Sequence, residues 1–398
     1  MARHGRSALT PIAAMLFASV LGACAGAGGG ETGLPQWSVV EDLRIGSSDD
    51  PVQMLSTVGA VAVDAADLIY VAQPQLGTIR VFDRDGSAVR DIGRRGPGPG
   101  EFERVYTIGF LADTLYAIDL GHRRISYFSR EGELLRSTNV SPPPVSPPFF
   151  PSMPFAVFPD GSMAIGTAFP ANIPAESLRR VPQLLLDRSG EVLDTVAWIA
   201  YERTGRRAPY EGRPLGVGSP LSDDAFAMFS GDGARIATID RTVAPGSGAA
   251  SFGITTTDGA GDTIYSRRYE YVPTSIEAAV IDSIVVERAG IVSGAFADSG
   301  EAQTFVRSTM FLPAYFPPVS SAHFSTDGEL WVRREEISGR DQTWMVLDEG
   351  GEPVASATLP ESLQVMVIRG EAMWGVEIDS LGVPYVVRYR IVRGDAAR

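Results

Sequence analysis

The sequence contains no lysine; all 34 of its basic residues are arginine. P-loop, Schiff-base and kinase chemistries each need a lysine amine, so all three are excluded. There is one cysteine, Cys24, which rules out a disulfide framework and a thiolate metal cluster. The only imidazoles are His4, His122 and His323, and they leave no three-histidine zinc site. Neither a Gly-x-Ser-x-Gly elbow nor a His-Glu-x-x-His occurs, so those two hydrolase templates do not apply. What is present describes a folded protein: 398 residues, 44% hydrophobic and 21% charged, with 43 Gly and 28 Pro.

Residues 1–23 read as an address. A basic start with Arg3 and Arg6 leads into a mostly apolar stretch from Leu9 to Val20, too short to span a bilayer permanently. Leu21-Gly22-Ala23-Cys24 resembles the bacterial lipobox, in which the cysteine thiol is lipidated and becomes the new N-terminus. Residues 24–35 are glycine-rich and suit a flexible tether. The expectation is an exported protein anchored to a bacterial membrane, on the periplasmic side or at the cell surface, through lipidated Cys24. Removing residues 1–23 takes away two Arg and no acid, so the formal charge moves from −14 to −16. Such a surface repels phosphate backbones, which argues against nucleic acid as a partner, and it leaves anchoring to the acyl chains.

The body, 36–393, alternates short β-branched and aromatic runs with Asp-Gly or Asp-x-x-Gly turns. Val81-Phe82-Asp83-Arg84-Asp85-Gly86 is echoed at Tyr127–Gly132, Leu185–Gly190, Thr255–Gly259 and Val346–Gly350. A second pair of strands precedes each of these. A sixth unit, beginning at Val365, has only three strands before the tail at 394–398. Self-similar four-stranded units imply an all-β, six-bladed β-propeller. Trp37–Ile45 can supply the missing outer strand, closing the ring and hiding an edge.

Leu115–Phe128 and the preceding Gly93–Phe102 loop look like an NHL repeat, and the chain is similar to bacterial six-bladed propeller lipoproteins, most of them without assigned activity. In the NHL pattern an aspartate after the second strand pairs with an arginine on the third, which here implies a structural ion pair between Asp119 and Arg124. Blade 1 carries Gln73 and Thr78 in those places. Related calcium-dependent lactonases hold their metal with carboxylate and asparagine oxygens around the channel. This chain has only Asn139 and Asn172, which argues against that class, and no cofactor or metal is expected.

The turn glycines also locate the insertions. Their spacing grows from 46 residues (Gly86 to Gly132) to 91 (Gly259 to Gly350). The added residues fall between second and third strands and between blades, two loop classes that share one face of a propeller. The largest addition, about 274–310 between blades 4 and 5, predicts a helix begun by a Thr274–Glu277 capping box, with Ile276, Val280 and Ile284 on one face and an end near Gly290. Gly96-Pro97-Gly98-Pro99-Gly100 is no phosphate cradle, because Pro97 and Pro99 lack the N–H groups one needs.

The decorated face is therefore the expected working face. Arg94, Arg95 and Arg123 form a basic spot, with Arg104 nearby, that suits a carboxylate, an anionic glycan or an acidic protein. His122 beside them could serve as a base, and His323, opening an inner strand of blade 5, could line the channel. The reading these residues support is a monomeric, non-catalytic module that binds a protein or glycan. The alternative is an exported lyase or hydrolase working at the channel mouth.

Overall fold

A computed structural model describes residues 33–50, 53–140, 150–168, 180–200, 207–210, 213–242, 250–335 and 339–394. Cys24 and the leader expected before it lie outside these residues, as do 169–179, where one of the long hairpin loops is expected.

Six four-stranded blades form the ring, the first five running from the channel outward in sequence order. Blade 1 is β2 (Ala60–Val63), β3 (Ile69–Gln73), β4 (Thr78–Phe82) and β5 (Ala88–Ile92). Blade 2 is β6 (Val105–Leu111), β7 (Thr114–Asp119), β8 (Arg124–Phe128) and β9 (Leu134–Asn139). Blade 3 comprises β10 (Phe150–Val157), β11 (Met163–Ala168), β12 (Arg180–Leu186) and β13 (Val192–Ala200). A short hairpin, β14 (Arg207–Tyr210) and β15 (Arg213–Gly216), precedes blade 4: β16 (Phe226–Phe229), β17 (Arg235–Asp240), β18 (Ala250–Asp258) and β19 (Thr263–Tyr271). Blade 5 is β20 (Val319–Phe324), β21 (Leu330–Arg334), β22 (Gln342–Leu347) and β23 (Pro353–Leu359). Blade 6 takes β24 (Gln364–Arg369), β25 (Ala372–Ile378) and β26 (Pro384–Val392) from the end of the chain and β1 (Gln36–Ile45) from its start.

The closure is as the three-stranded sixth unit predicts. β1 runs antiparallel to β26, from Ser38↔Val392 to Ile45↔Val386. Its first residues also pair in parallel with β23, Gln36↔Ser356 to Ser38↔Thr358, so one strand completes blade 6 and fastens it to blade 5. Trp37 seals this junction, its ring 5.7 Å from that of Trp331 and capped by the Arg393 guanidinium at 4.5 Å. The next junction is closed from the other side of β1, where Gly86 of blade 1 seats against Leu43 and Ile45.

The outer hairpin turns explain the repeated Asp-x-x-Gly. Asp83 accepts the N–H groups of Asp85 and Ser87 at 3.0 and 2.8 Å, and Asp187, Asp258 and Asp348 each make the same pair of bonds. The fourth residue must then adopt a left-handed conformation, which glycine tolerates. In blades 4 and 5 that residue is Gly261 (φ +90°) and Gly351 (φ +77°), not the Gly259 and Gly350 that the bare Asp-Gly pattern suggests.

The insertion between blades 4 and 5 is a helical hairpin, α1 (Ala278–Val292) and α2 (Ser299–Thr309), rather than a single helix. The predicted capping box does not form. Thr274 to Ile276 are used to close the neck of the insertion: Ile276 N–H donates to Ala314 O, Phe316 N–H to Thr274 O, and Thr274 Oγ1 to Glu335 Oε1 at 2.9 Å. α1 therefore starts after Glu277 without a side-chain cap, passes through Gly290 and buries Val285 and Ala289. The capping carboxylate sits on α2 instead, where Asp298 accepts from Glu301 N–H at 2.9 Å and Glu301 reaches back to Ala297 N–H at 3.1 Å.

Candidate functional site

Strand order decides which loops share a face. Each blade is an antiparallel meander, so its second-to-third-strand loop and its exit to the next blade leave at the same end. His122 lies between β7 and β8, Arg94 and Arg95 lie between β5 and β6, and the helical hairpin lies between β19 and β20. All of them rise from this one decorated face. The first-to-second and third-to-fourth turns occupy the bare face opposite.

At the corner of blades 1 and 2 the centre is Asp119, the last residue of β7, whose side chain is fully buried. Burial alone would raise its pKa. The N–H groups of Glu103 and Arg104, at 3.0 and 2.9 Å, together with His122, overcome that and hold the carboxyl below its ordinary range. Gly121 N–H adds a further bond at 3.0 Å. The other oxygen bonds to His122 Nδ1 at 2.7 Å. A carboxylate accepts only, so Nδ1 carries the hydrogen and Nε2 is left facing outward, 3.9 Å from Glu103 Oε2.

The ion pair implied between Asp119 and Arg124 is not made, although the two residues stand opposite each other in register. Asp119 is occupied by backbone amides and His122, and Arg124 turns to carbonyl oxygens instead. Its guanidinium donates to Pro97 O at 3.2 Å, to Gly98 O at 2.8 Å and to Glu101 O. The Gly-Pro loop thus points carbonyls inward at a cation, the opposite polarity from an anion cradle. Glu101 completes the loop, accepting from Gly98 N–H at 2.8 Å and Arg94 Nε at 2.7 Å, and these bonds lower its pKa.

The basic residues expected to bind are partly committed. Arg94 is 82% exposed yet bonded to Glu101, and Arg95 donates to Gln75 O at 2.9 Å. Arg123 is exposed at the tip of the His122 loop, in a left-handed conformation (φ +51°). His323 belongs elsewhere. It stands opposite Trp331 in register and its ring lies 5.9 Å from that of Trp344, both members of the core between blades 5 and 6. Burial lowers its pKa to about 4. The structure does not bring it to His122.

Three features escaped the sequence reading. Gln73 does in blade 1 what Asp119 does in blade 2: it is fully buried and its Oε1 accepts Ser56 N–H at 2.9 Å, tying the incoming loop to the blade. A neutral amide suffices because it holds one amide rather than several. Beside it, a cleft of about 470 Å³ opens on the decorated face between blades 6 and 1, lined by Ser47, Ser56, Gln75 and Gln364 over Leu55 and Val376. Lastly, Val217, after the β14–β15 hairpin, packs with Val285, Ala302 and Val306, so the two largest described insertions share a small core of their own. No local pattern announces that contact, because its partners lie far apart in sequence. On the opposite face, a second cleft of about 300 Å³ between blades 3 and 4 is lined by Phe158, Phe229 and Asp232. Among the described residues no group of three or more His, Cys, Asp and Glu is placed to hold a metal ion.

Residues 51–147 match the DUF5128 family model, described as a 6-bladed beta-propeller. A solved DUF4221 family protein from Bacteroides vulgatus ATCC 8482 superposes with a TM-score of 0.52 at 10% identity, covering 92% of this chain and all of that one. A protein from Bacteroides fragilis NCTC 9343 gives 0.47 at 10% identity, with 90% and 96% covered. Virginiamycin B lyase from Staphylococcus aureus gives 0.42 at 10% identity, with 89% and 100% covered. No curated protein matches the sequence. At these identities the likeness shows the fold alone, and the fold is a β-propeller.

Proposed function

We propose that this chain is an exported, lipid-anchored β-propeller whose decorated face binds a protein or glycan without transforming it. One observation carries the reading: the long described insertions leave one face and pack together there, while the opposite face keeps short turns. Binding sites generally sit on loops held by a rigid scaffold. α1 also turns Val286 and Ile291, 55% and 67% exposed, to solvent on the same face that carries Arg123. Exposed apolar side chains suit a protein surface, and the arginines suit its carboxylates.

In-cell photocrosslinking tests this. Probes at Glu287, Arg95 and Arg123 should give discrete adducts, a probe at Asp85 on the bare face should give none, and Arg95→Ala with Arg123→Ala should weaken the adduct formed from Glu287. Adducts from Asp85 alone would refute the assignment of the face. The anchor has its own test: Cys24→Ser should leave the protein exported but released from membranes by a salt wash, since acyl burial contributes about 0.8 kcal/mol per CH₂.

A second reading draws on Asp119 and His122. A buried carboxylate that fixes Nδ1–H leaves Nε2 as an oriented base, as a lyase or hydrolase would need. Turnover of ester, lactone or uronide substrates, lost in His122→Gln, would support it; a wild-type protein inert toward all three would remove it.

A further inference from the structure

β1 carries a direction as well as a seal. It is parallel to β23, the outer strand of blade 5, and outer strands run from the bare face to the decorated face. β1 therefore enters the ring at the bare face, beside Val392, where β26 ends. The chain that precedes Gln36 joins the ring at the bare face, on the side opposite His122 and the helical hairpin.

The bare face is also the acidic one. Every described turn on it carries at least one exposed carboxylate, among them Asp67, Asp85, Asp113, Glu131, Asp327 and Glu349. Several of its arginines are already bound to carboxylates: Arg130 to Asp113, Arg235 to Glu349 and Arg369 to Asp67. The described turns of this face thus carry an excess of carboxylates over arginines on the side to which an N-terminal anchor would be attached. An anionic leaflet repels such a face over roughly a Debye length, about 10 Å at 0.1 M salt and about 3 Å at 1 M. The roughly 12 residues from Cys24 to Gln36 reach at most about 40 Å.

We propose, resting on the lipid-anchor reading above, that the ring stands over the bilayer with its acidic bare face toward the lipid and its decorated face outward, and that it is held off an anionic leaflet rather than docked on it. The chain-length limit keeps the ring near the membrane, and the direction of β1 sets which face is near. The partner of the decorated face is then met on the side away from the anchoring membrane.

The single native cysteine makes a clean test possible, because lipidation consumes Cys24 and any introduced thiol can be labelled alone. Lipidated protein extracted from membranes would carry a donor dye at Asp85→Cys or Asp327→Cys on the bare face, or at Leu381→Cys or Glu287→Cys on the decorated face. Leu381 is 83% exposed and lies in blade 6, the blade that receives β1. Strands of six or seven residues separate the two faces by about 20–25 Å. Energy transfer to headgroup-labelled acceptors in vesicles should be several-fold stronger from the bare-face pair. In phosphatidylglycerol vesicles, raising salt from 20 to 500 mM should increase transfer from Asp85→Cys and Asp327→Cys; in phosphatidylcholine vesicles salt should change nothing. Equal transfer from both faces, or stronger transfer from Leu381→Cys, would overturn the orientation, and transfer insensitive to salt in anionic vesicles would overturn the stand-off. If wild-type protein fails to float with vesicles, as Cys24→Ser should, it is the anchor reading that has failed.

Discussion

Acidifying this protein should unlock the junction between blades 5 and 6 before it affects anything that depends on carboxylates. His323 is recessed against Trp344 in that junction, and burial takes its pKa from 6.5 to about 4. The sign follows from which state binds the proton. A base whose folded pKa is depressed stays neutral in the native ring while the unfolded chain protonates. The stabilisation is therefore complete above pH 6.5 and is lost as pH falls toward 4. Between pH 7.5 and pH 5 the loss amounts to about 2 kcal/mol, and below pH 4 it reaches about 3 kcal/mol. The measurement is urea unfolding at pH 7.5, 6.5, 5.5 and 5, comparing wild type with His323→Phe, which keeps a ring on Trp344 without a titrating nitrogen. The comparison concerns the slope with pH, so any constant effect of the substitution cancels. The variant should lack about 2 kcal/mol of the wild-type decline over that range. Parallel slopes would mean that His323 protonates freely in the folded ring, and the placement of its side chain against Trp344 would then be wrong.

Four further variants have expected outcomes. Trp37→Ala should cost about 3–5 kcal/mol by thermal or urea unfolding, as large aromatic truncations in a core do, and deleting residues 34–46 should cost more by opening blade 6; an unchanged melting temperature for the deletion would show that another element closes the ring. Gly351→Ala should destabilise by more than the roughly 1–2 kcal/mol of a left-handed alanine, because the new Cβ would also meet the Tyr265 ring at 2.6 Å; a smaller loss would mean that the turn has another conformation. Asp119→Ala should cost about 2–4 kcal/mol by urea unfolding at pH 7, since it removes a fully buried carboxylate that the amides of Glu103, Arg104 and Gly121 all bond to. Its depressed pKa places the stabilisation above the ordinary carboxylate range, so the wild-type advantage should shrink only as pH falls below about 4.

The repeat architecture was legible because it is written locally. Alternating apolar residues set the strands and Asp-x-x-Gly turns set the hairpins. The sixth unit, one strand short, announced that something else must complete it, and Trp37–Ile45 had the right pattern. The same local logic placed His122, Arg94, Arg95 and Arg123 on one face, since in a meander strand parity alone decides where a loop emerges. Local reading failed where one residue had two uses. Thr274 and Glu277 spell a capping box, but Thr274 is spent on Glu335 across the neck of the insertion, and α1 begins uncapped. The NHL resemblance implies an ion pair between Asp119 and Arg124, yet the amides of the incoming loop reach the carboxylate and its carbonyls reach the guanidinium. His323 reads equally well as a channel residue or a core residue, and only the packing of blade 5 on blade 6 chooses. The direction in which β1 enters, and hence the face on which the N-terminal segment joins the ring, depends on pairing between residues more than 300 positions apart. Sequence determines what each segment can form; which partner each polar group takes is a contest between bonds that only the assembled ring brings within reach.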